Sequence, residues 1–167
     1  MADTTKFETP QNWYTWDKAA VGDNAPGEAI VEVTAEKVWE YVECEDDTGR
    51  LYWDEAFARQ HGLEGLAVPI SMVCRVASNR RAEIMEAKGY EHPVRPTPFA
   101  HWQCKTYAPM KVGDVIISTS QVADKYERRG RHYLTWHVDA HNQQGEKVCE
   151  YDYTNLWDEG KPEDKTR

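Results

Sequence analysis

The stretch from Phe99 to Trp157 constrains the fold more than any other part of the chain. It holds four segments, "FAHWQCKTYAP", "DVIISTSQVADKYE", "RHYLTWHVDAH" and "KVCEYDYTNLW", separated by "MKVG", "RRG" and "NQQG". The segments are rich in Val, Ile, Thr, Tyr and Trp, side chains that fit a pleated, half-buried surface. In the third, His132, Leu134, Trp136 and Val138 fall on one face and Tyr133, Thr135, His137 and Asp139 on the other, as strict alternation requires. Each separator is short and carries glycine. Parallel strands need a crossover of a dozen residues or more, so these strands run antiparallel. The pattern predicts an antiparallel meander.

The residues before it read differently. "EAIVEV" (28–33) predicts a short strand, and Thr34 is a good helix N-cap. Ala35, Val38, Trp39 and Val42 then recur at helical spacing and give one apolar face. "EDDTGRLYWDEAFARQHG" (45–62) is an acidic turn followed by a short helix stopped by Gly62. "VPISMVCRVASNRRAEIMEAKGY" predicts one long helix, capped by Ser71 and stopped at Gly89. Its stripe holds Ile70, Val73, Cys74, Ala77, Ile84 and Met85, with Arg81 on the same face, its head reaching water. "EHPVRPTP" is a proline-rich connector. Helices first and hairpin-linked strands after define an α+β domain, with the long helix covering the apolar face of the sheet. One domain is expected over 28–158. Before it, residues 1–27 form an extension docked through Trp13, Tyr14 and Trp16; after it, 159–167 form a charged tail.

Bulk properties exclude several functions. The 167 residues carry 29 acidic and 20 basic side chains, a net charge of −9, with no basic block. A binder of nucleic-acid backbones is therefore not expected. No apolar run reaches membrane-spanning length, and the N-terminus lacks a secretory layout. Cys44, Cys74, Cys104 and Cys149 are widely spaced, with no CxxC, and read as reduced thiols, mostly in the core. A soluble cytoplasmic protein is expected. Seven Trp and nine Tyr against three Phe favour surfaces with one wet edge, such as a subunit interface or a cleft.

Taken in order, three pieces carry a family resemblance over Ile30–Trp157: "VTAEKVWEYVECEDDTGRLYWDEAFARQHG", "GLAVPISMV", and the closing strands from "YAPMKVGDV" to "YTNLW". Together they resemble the hot-dog fold, specifically the MaoC-like (R)-specific enoyl-CoA hydratase and dehydratase group. The resemblance implies a sheet wrapped around the long helix and pairing of two such units. It also implies thioester ligands on coenzyme A or an acyl carrier, with no cofactor beyond coenzyme A as part of the substrate. The group's hydratase motif is Asp-x-Asn-Pro-x-His. Laid on this chain, Asp falls on Asp47, Asn on Gly49, Pro on Arg50 and His on Tyr52, with Asp46 the fallback for a one-residue slip. In the group, Asp and His hold and activate the water added to the enoyl double bond. Asp47 supplies a carboxylate. Tyr52 can donate a hydrogen bond but is a poor base, since a phenol titrates near about 10.

The chain departs from the group at a second place. Intact members carry His-Gly at the head of the central helix, where a backbone N–H polarises the thioester carbonyl. Here Val68-Pro69 stands there, and proline has no N–H. Ile70 and Ser71 are the remaining candidate donors. His101 is a candidate cleft residue, against a structural histidine, and "RRGR" (128–131) is a solvated hairpin tip or a contact for coenzyme A phosphates. No metal is expected. His137 and His141 share a strand face but lie about 13 Å apart at roughly 3.3 Å per residue, too far for one zinc with ligands at about 2 Å.

Three readings follow: a hydratase or dehydratase of acyl thioesters with a degenerate Asp/His motif; a non-catalytic subunit that pairs with an intact hydratase; and a hot-dog thioesterase using a helix carboxylate such as Glu40 or Glu43.

Overall fold

The computed structural model describes residues 12–93 and 96–158. Its five strands are β1 (Ala29–Glu32), β2 (Phe99–Thr106), β3 (Val115–Arg128), β4 (Arg131–His141) and β5 (Lys147–Leu156). They form one antiparallel sheet in the order β1-β3-β4-β5-β2. The run β3-β4-β5 is the expected meander. Its first turn is two residues, Arg129 and Gly130, both at positive φ (54° and 70°), the combination that matches the twist of flanking strands. In the second turn the Asn142 side-chain oxygen accepts the N–H groups of Gln144 and Glu146 at 3.1 and 2.9 Å.

Strand β2 departs from the meander. It pairs with β5, Trp102 opposite Tyr153, and no strand among the described residues pairs with its other edge. Residues 107–114 therefore cross the end of the sheet instead of turning a hairpin. Their backbone groups bond to the helical side of the molecule. The Met110 carbonyl accepts from Val68 N–H (3.0 Å), Val112 N–H donates to Leu66 (2.8 Å), and Gly113 N–H to Val33 (2.9 Å). This crossing needs glycine at position 65, where a Cβ would lie 2.9 Å from the Val112 carbonyl oxygen.

The helices are α1 (Ala35–Cys44), α2 (Arg50–Trp53), α3 (Glu55–Gln60), a 3-10 turn at Ile70–Met72, α4 (Val73–Val76) and α5 (Arg81–Ala87). Thr34 caps α1, and Val38 and Val42 are its buried residues, but Trp39 from the expected apolar face is turned outward. The short helix expected after the acidic turn is split at Asp54, whose carboxylate caps α3 through Phe57 N–H at 2.9 Å.

The long helix is also in pieces. It leaves helical geometry at Ala77, and Arg80 takes a left-handed φ of 44°. The break frees carbonyls, and long-range donors fill them: the Tyr151 hydroxyl bonds the Ala77 carbonyl and the Ser120 hydroxyl that of Asn79. Arg80 itself reaches the carbonyls of Pro26 (2.9 Å) and Gly27 (3.0 Å) and pairs with Glu83. Arg81 does not end in water; it donates to Asn155 Oδ1 at 3.1 Å. The inner face still holds, since Val73, Val76, Ala77, Ile84 and Met85 are buried against the sheet. Ser71 is not a helix cap, and Ile70 is 49% exposed.

The segment ahead of β1 packs on the domain. Tyr14 is fully buried, its hydroxyl 2.6 Å from Asp23 Oδ2, and Trp157 Nε1 donates to its carbonyl at 2.8 Å. Trp16 stacks on His132 and donates to the Tyr133 carbonyl. Residues 1–11 and the charged tail 159–167 lie outside the described residues. Among those described, no helix is long and apolar enough to cross a membrane. All four cysteines are free, but only Cys149 is buried; Cys44 and Cys74 are exposed and Cys104 is half-buried, contrary to the core placement expected.

Candidate active site

The acidic turn is built where α1 ends. Asp46 adopts a left-handed φ of 57°, a region few non-glycine residues occupy but Asp tolerates. The chain reverses there, and Asp47 N–H returns to the Val42 carbonyl at 2.9 Å. The Asp47 carboxylate then accepts Gly49 N–H through Oδ1 at 2.9 Å. Next, Tyr52 N–H bonds the Gly49 carbonyl at 3.0 Å and starts α2. Three of the four motif positions, Asp47, Gly49 and Tyr52, are thus brought together. A Cβ at Gly49 would lie 3.1 Å from Asp47 Oδ1 and 3.1 Å from Tyr52 Cε2, so carboxylate and phenol ring both crowd the place where a side chain would begin. Asp46, the fallback, is exposed.

Burial, and then the Asp47 charge, push the Tyr52 phenol above its ordinary value of 10.0. Near neutral pH the ring keeps its proton. It can donate to a water or a carbonyl but cannot act as base. Asp47 has one oxygen held by Gly49 N–H. The geometry sets one carboxylate and one neutral donor on the same turn.

The loop into the central helices lies against this turn. The Ser71 hydroxyl donates to Glu45 Oε2 at 3.2 Å, linking residues 26 apart in sequence. Tyr41 stands beside them; burial raises its phenol and the neighbouring Glu45 adds to the rise, while Arg75 lies 5.5 Å over its ring. Val68 N–H is spent on the Met110 carbonyl. Pro69 has no N–H, so Ile70 and Ser71 carry the only donors at this helix start. The Ser71 side chain thus ties this helix start to Glu45, two residues before Asp47.

His101 lies elsewhere. On β2, Trp102 and Cys104 turn toward the core, so His101 faces outward. It lines an open groove of about 630 Å³ with Tyr126, Arg128, Arg129, Arg131 and Tyr133. The structure does not bring it to Asp47. Arg131 in that groove is paired with Asp158. Glu40 and Glu43 lie on the exposed side of α1.

Sequence reasoning missed two features. Trp53 Nε1 donates to the Asp47 carbonyl at 2.9 Å, and Trp39 Nε1 to the Tyr52 carbonyl at 3.1 Å. The spacing of these tryptophans carried no signal. On the outer sheet face, His137, Asp139 and Glu150 place metal-ligating atoms within 4.8 Å of one another. The distance between His137 and His141 had hidden this grouping, because its other members come from β4 and β5 together. The ammonium of Lys147 lies 2.7 Å from Asp139 Oδ2 and also bonds Glu150, and His137 Nδ1 lies 2.7 Å from Asp152. A cation of the chain itself neutralises the group.

A five-stranded sheet wrapped on a broken central helix is the hot-dog fold, and the chain is a hot-dog protein of the MaoC-like group. A family model described as "FAS1-like, dehydratase domain region" matches residues 19–151. The chain belongs to that family. A UPF0336 protein of Saccharopolyspora erythraea is 26% identical over 138 residues, covering 80% of this chain and 85% of that one. Solved structures share the fold. The monoamine oxidase regulatory protein of Archaeoglobus fulgidus has a TM-score of 0.71 at 18% identity, covering 88% of this chain and 95% of its own. The MaoC-like dehydratase of Rhodospirillum rubrum has 0.64 at 20%, covering 86% and 96%. The HadBC (3R-hydroxyacyl-ACP dehydratase) complex of Mycobacterium tuberculosis has 0.64 at 18%, covering 82% and 94%.

Proposed function

We propose that this chain is a hydro-lyase that hydrates a 2-enoyl thioester or dehydrates the matching 3-hydroxyacyl thioester, carried on coenzyme A or an acyl carrier. In this reading Asp47 takes the proton from water as the hydroxyl adds to the β-carbon and returns it to the α-carbon. Tyr52 is a neutral donor that orients the water or the carbonyl. Ile70 and Ser71 offer the N–H that polarises the thioester, and Gly49, with no side chain, lets carboxylate and ring come close beside the substrate. The reaction needs a base and a proton source close together. The supporting observation is the packing of Asp47 and Tyr52 against Gly49. The protein acts in the cytoplasm as a pair of hot-dog units, of itself or with a second chain. The test is hydration of short and medium enoyl-CoA esters, followed by loss of the conjugated thioester absorbance. General-base catalysis contributes about 10²–10⁴-fold, so Asp47→Asn, which keeps the acceptor for Gly49 N–H, should slow the wild-type rate by that factor. An unchanged rate in that variant removes Asp47 from the mechanism.

A second reading is a non-catalytic subunit that pairs with an intact hydratase. It is supported by the phenol of Tyr52 at the place of a histidine, by Pro69, and by the likeness to a two-chain dehydratase complex. Purified protein with no turnover on any enoyl ester, regaining activity only with a second hot-dog chain, selects this reading. No observation favours the thioesterase; Glu40 and Glu43 are exposed on α1.

A further inference from the structure

We infer that Trp39 and Trp53 are positioning residues that hold the Asp47–Tyr52 turn at its two ends through their indole N–H groups; their effect on turnover rests on the reading of Asp47 as the base. Trp53 Nε1 donates to the backbone carbonyl of Asp47 and Trp39 Nε1 to that of Tyr52. These are the two residues whose side chains both pack against Gly49. Two donors from separate elements, α1 and α2, thus end on the two positions whose separation the chemistry depends on.

The turn is short, and its other bonds include Asp47 N–H to the Val42 carbonyl and Gly49 N–H to the Asp47 carboxylate. Helix α2 is four residues long, and Asp46 sits in left-handed backbone. The indoles lie parallel, 1° apart in plane and 6.4 Å between centroids, and both are partly in water, 37% and 43% exposed. A tryptophan half in water adds less to the core than a buried one, while its N–H needs a partner. Here each N–H finds a carbonyl of the turn rather than solvent. Phenylalanine in either place would keep a ring and lose the donor. Asp47 would then be free to swing with the turn, and a misplacement of about 1 Å can cost on the order of 10²-fold in rate.

The test uses Trp53→Phe and Trp39→Phe in the full chain. The first readout needs no activity: amide hydrogen exchange of Asp47, Gly49 and Tyr52, whose N–H groups bond the Val42 carbonyl, the Asp47 carboxylate and the Gly49 carbonyl. Each variant should quicken these amides by about tenfold, the loss of roughly one hydrogen bond, with amides of β3 and β4 unchanged. The second readout is turnover. Trp53→Phe should lower kcat by about tenfold with KM within about twofold. Combined with Asp47→Asn it should add nothing, since residues acting as one unit are not additive. Unchanged exchange in the turn overturns the inference whether or not the protein is active. So does a kcat loss that persists in full in the Asp47→Asn background. If the wild type turns over no enoyl thioester, the hydratase reading fails by itself, and the exchange result alone decides whether the indoles hold the turn.

Discussion

Substitution of Gly49 by alanine tests the packing at the centre of the site. The backbone there has φ −59° and ψ 119°, which any residue adopts, so the effect is steric and not conformational. The added methyl would stand 3.1 Å from Asp47 Oδ1 and 3.1 and 3.2 Å from Tyr52 Cε2 and Cδ2, inside the 3.4–4 Å of ordinary contact. Something must yield by a few tenths of an ångström. Asp47 cannot easily do so, because its N–H, its carboxylate and its carbonyl are all bonded, to Val42, Gly49 and Trp53. The ring of Tyr52 must turn instead, away from the carboxylate. Overpacking costs about 1–3 kcal/mol, and loss of glycine freedom in the unfolded chain returns about 0.4–1 kcal/mol. A net destabilisation of about 1 kcal/mol follows, or about 2–4 °C in melting temperature for a domain of this size. Thermal unfolding measures it, and in the hydratase reading the variant also loses turnover out of proportion to its stability. A variant that melts at or above the wild type with full turnover would show that Asp47 and Tyr52 are not packed on the bare Cα.

Other outcomes can be measured independently. Asp23 is buried, which alone would raise its carboxyl, but hydrogen bonds from Lys88, Tyr14 and Ala20 outweigh burial and hold it below 3.8. A depressed folded value stabilises above the unfolded one, so the gap between wild type and Asp23→Asn should be full near neutral pH and close as pH falls below 3.8; a gap constant to lower pH refutes the linkage. The edge of β2 that no described strand pairs, with Phe99 57% and Tyr107 46% exposed, predicts a dimer or larger assembly burying more than about 1,200 Å², and a monomer by sedimentation at micromolar concentration refutes it. Intact mass without reductant should show four free thiols, and a deficit of two or four daltons refutes it.

What the sequence revealed depended on how local the cause was. The strands β3, β4 and β5 were legible because alternation and turn chemistry act within a few residues, and so was the α+β class. The pairing of β2 was not. Nothing in "MKVG" says that its N–H groups will bond Leu66 and Val33 instead of a neighbouring strand. The break in the central helix has the same origin. "ASNRR" has no glycine or proline to stop a helix, and Ser78 and Asn79 only weaken one. The interruption is stabilised by Tyr151 and Ser120 from the sheet and by Arg80 reaching Pro26 and Gly27, contacts 41 to 74 residues away in sequence.

The candidate site divides along the same line. Asp47, Gly49 and Tyr52 lie within six residues, so a motif laid on the sequence found the turn, and the folded chain packs them together. His101 was an error of face. Its neighbours Trp102 and Cys104 take the inner positions of β2, and alternation then sends His101 outward, but which parity faces the core is set by the pairing with β5. The indoles of Trp39 and Trp53 were unreadable for a further reason. Each donates to a backbone carbonyl, and a carbonyl carries no trace in the sequence of the residue that owns it. The residue at position 52 can be read as tyrosine in place of histidine, whereas the bond that holds it there can be read only from the folded chain. A degenerate motif of this kind is therefore better tested by what restrains its turn than by what its letters have lost.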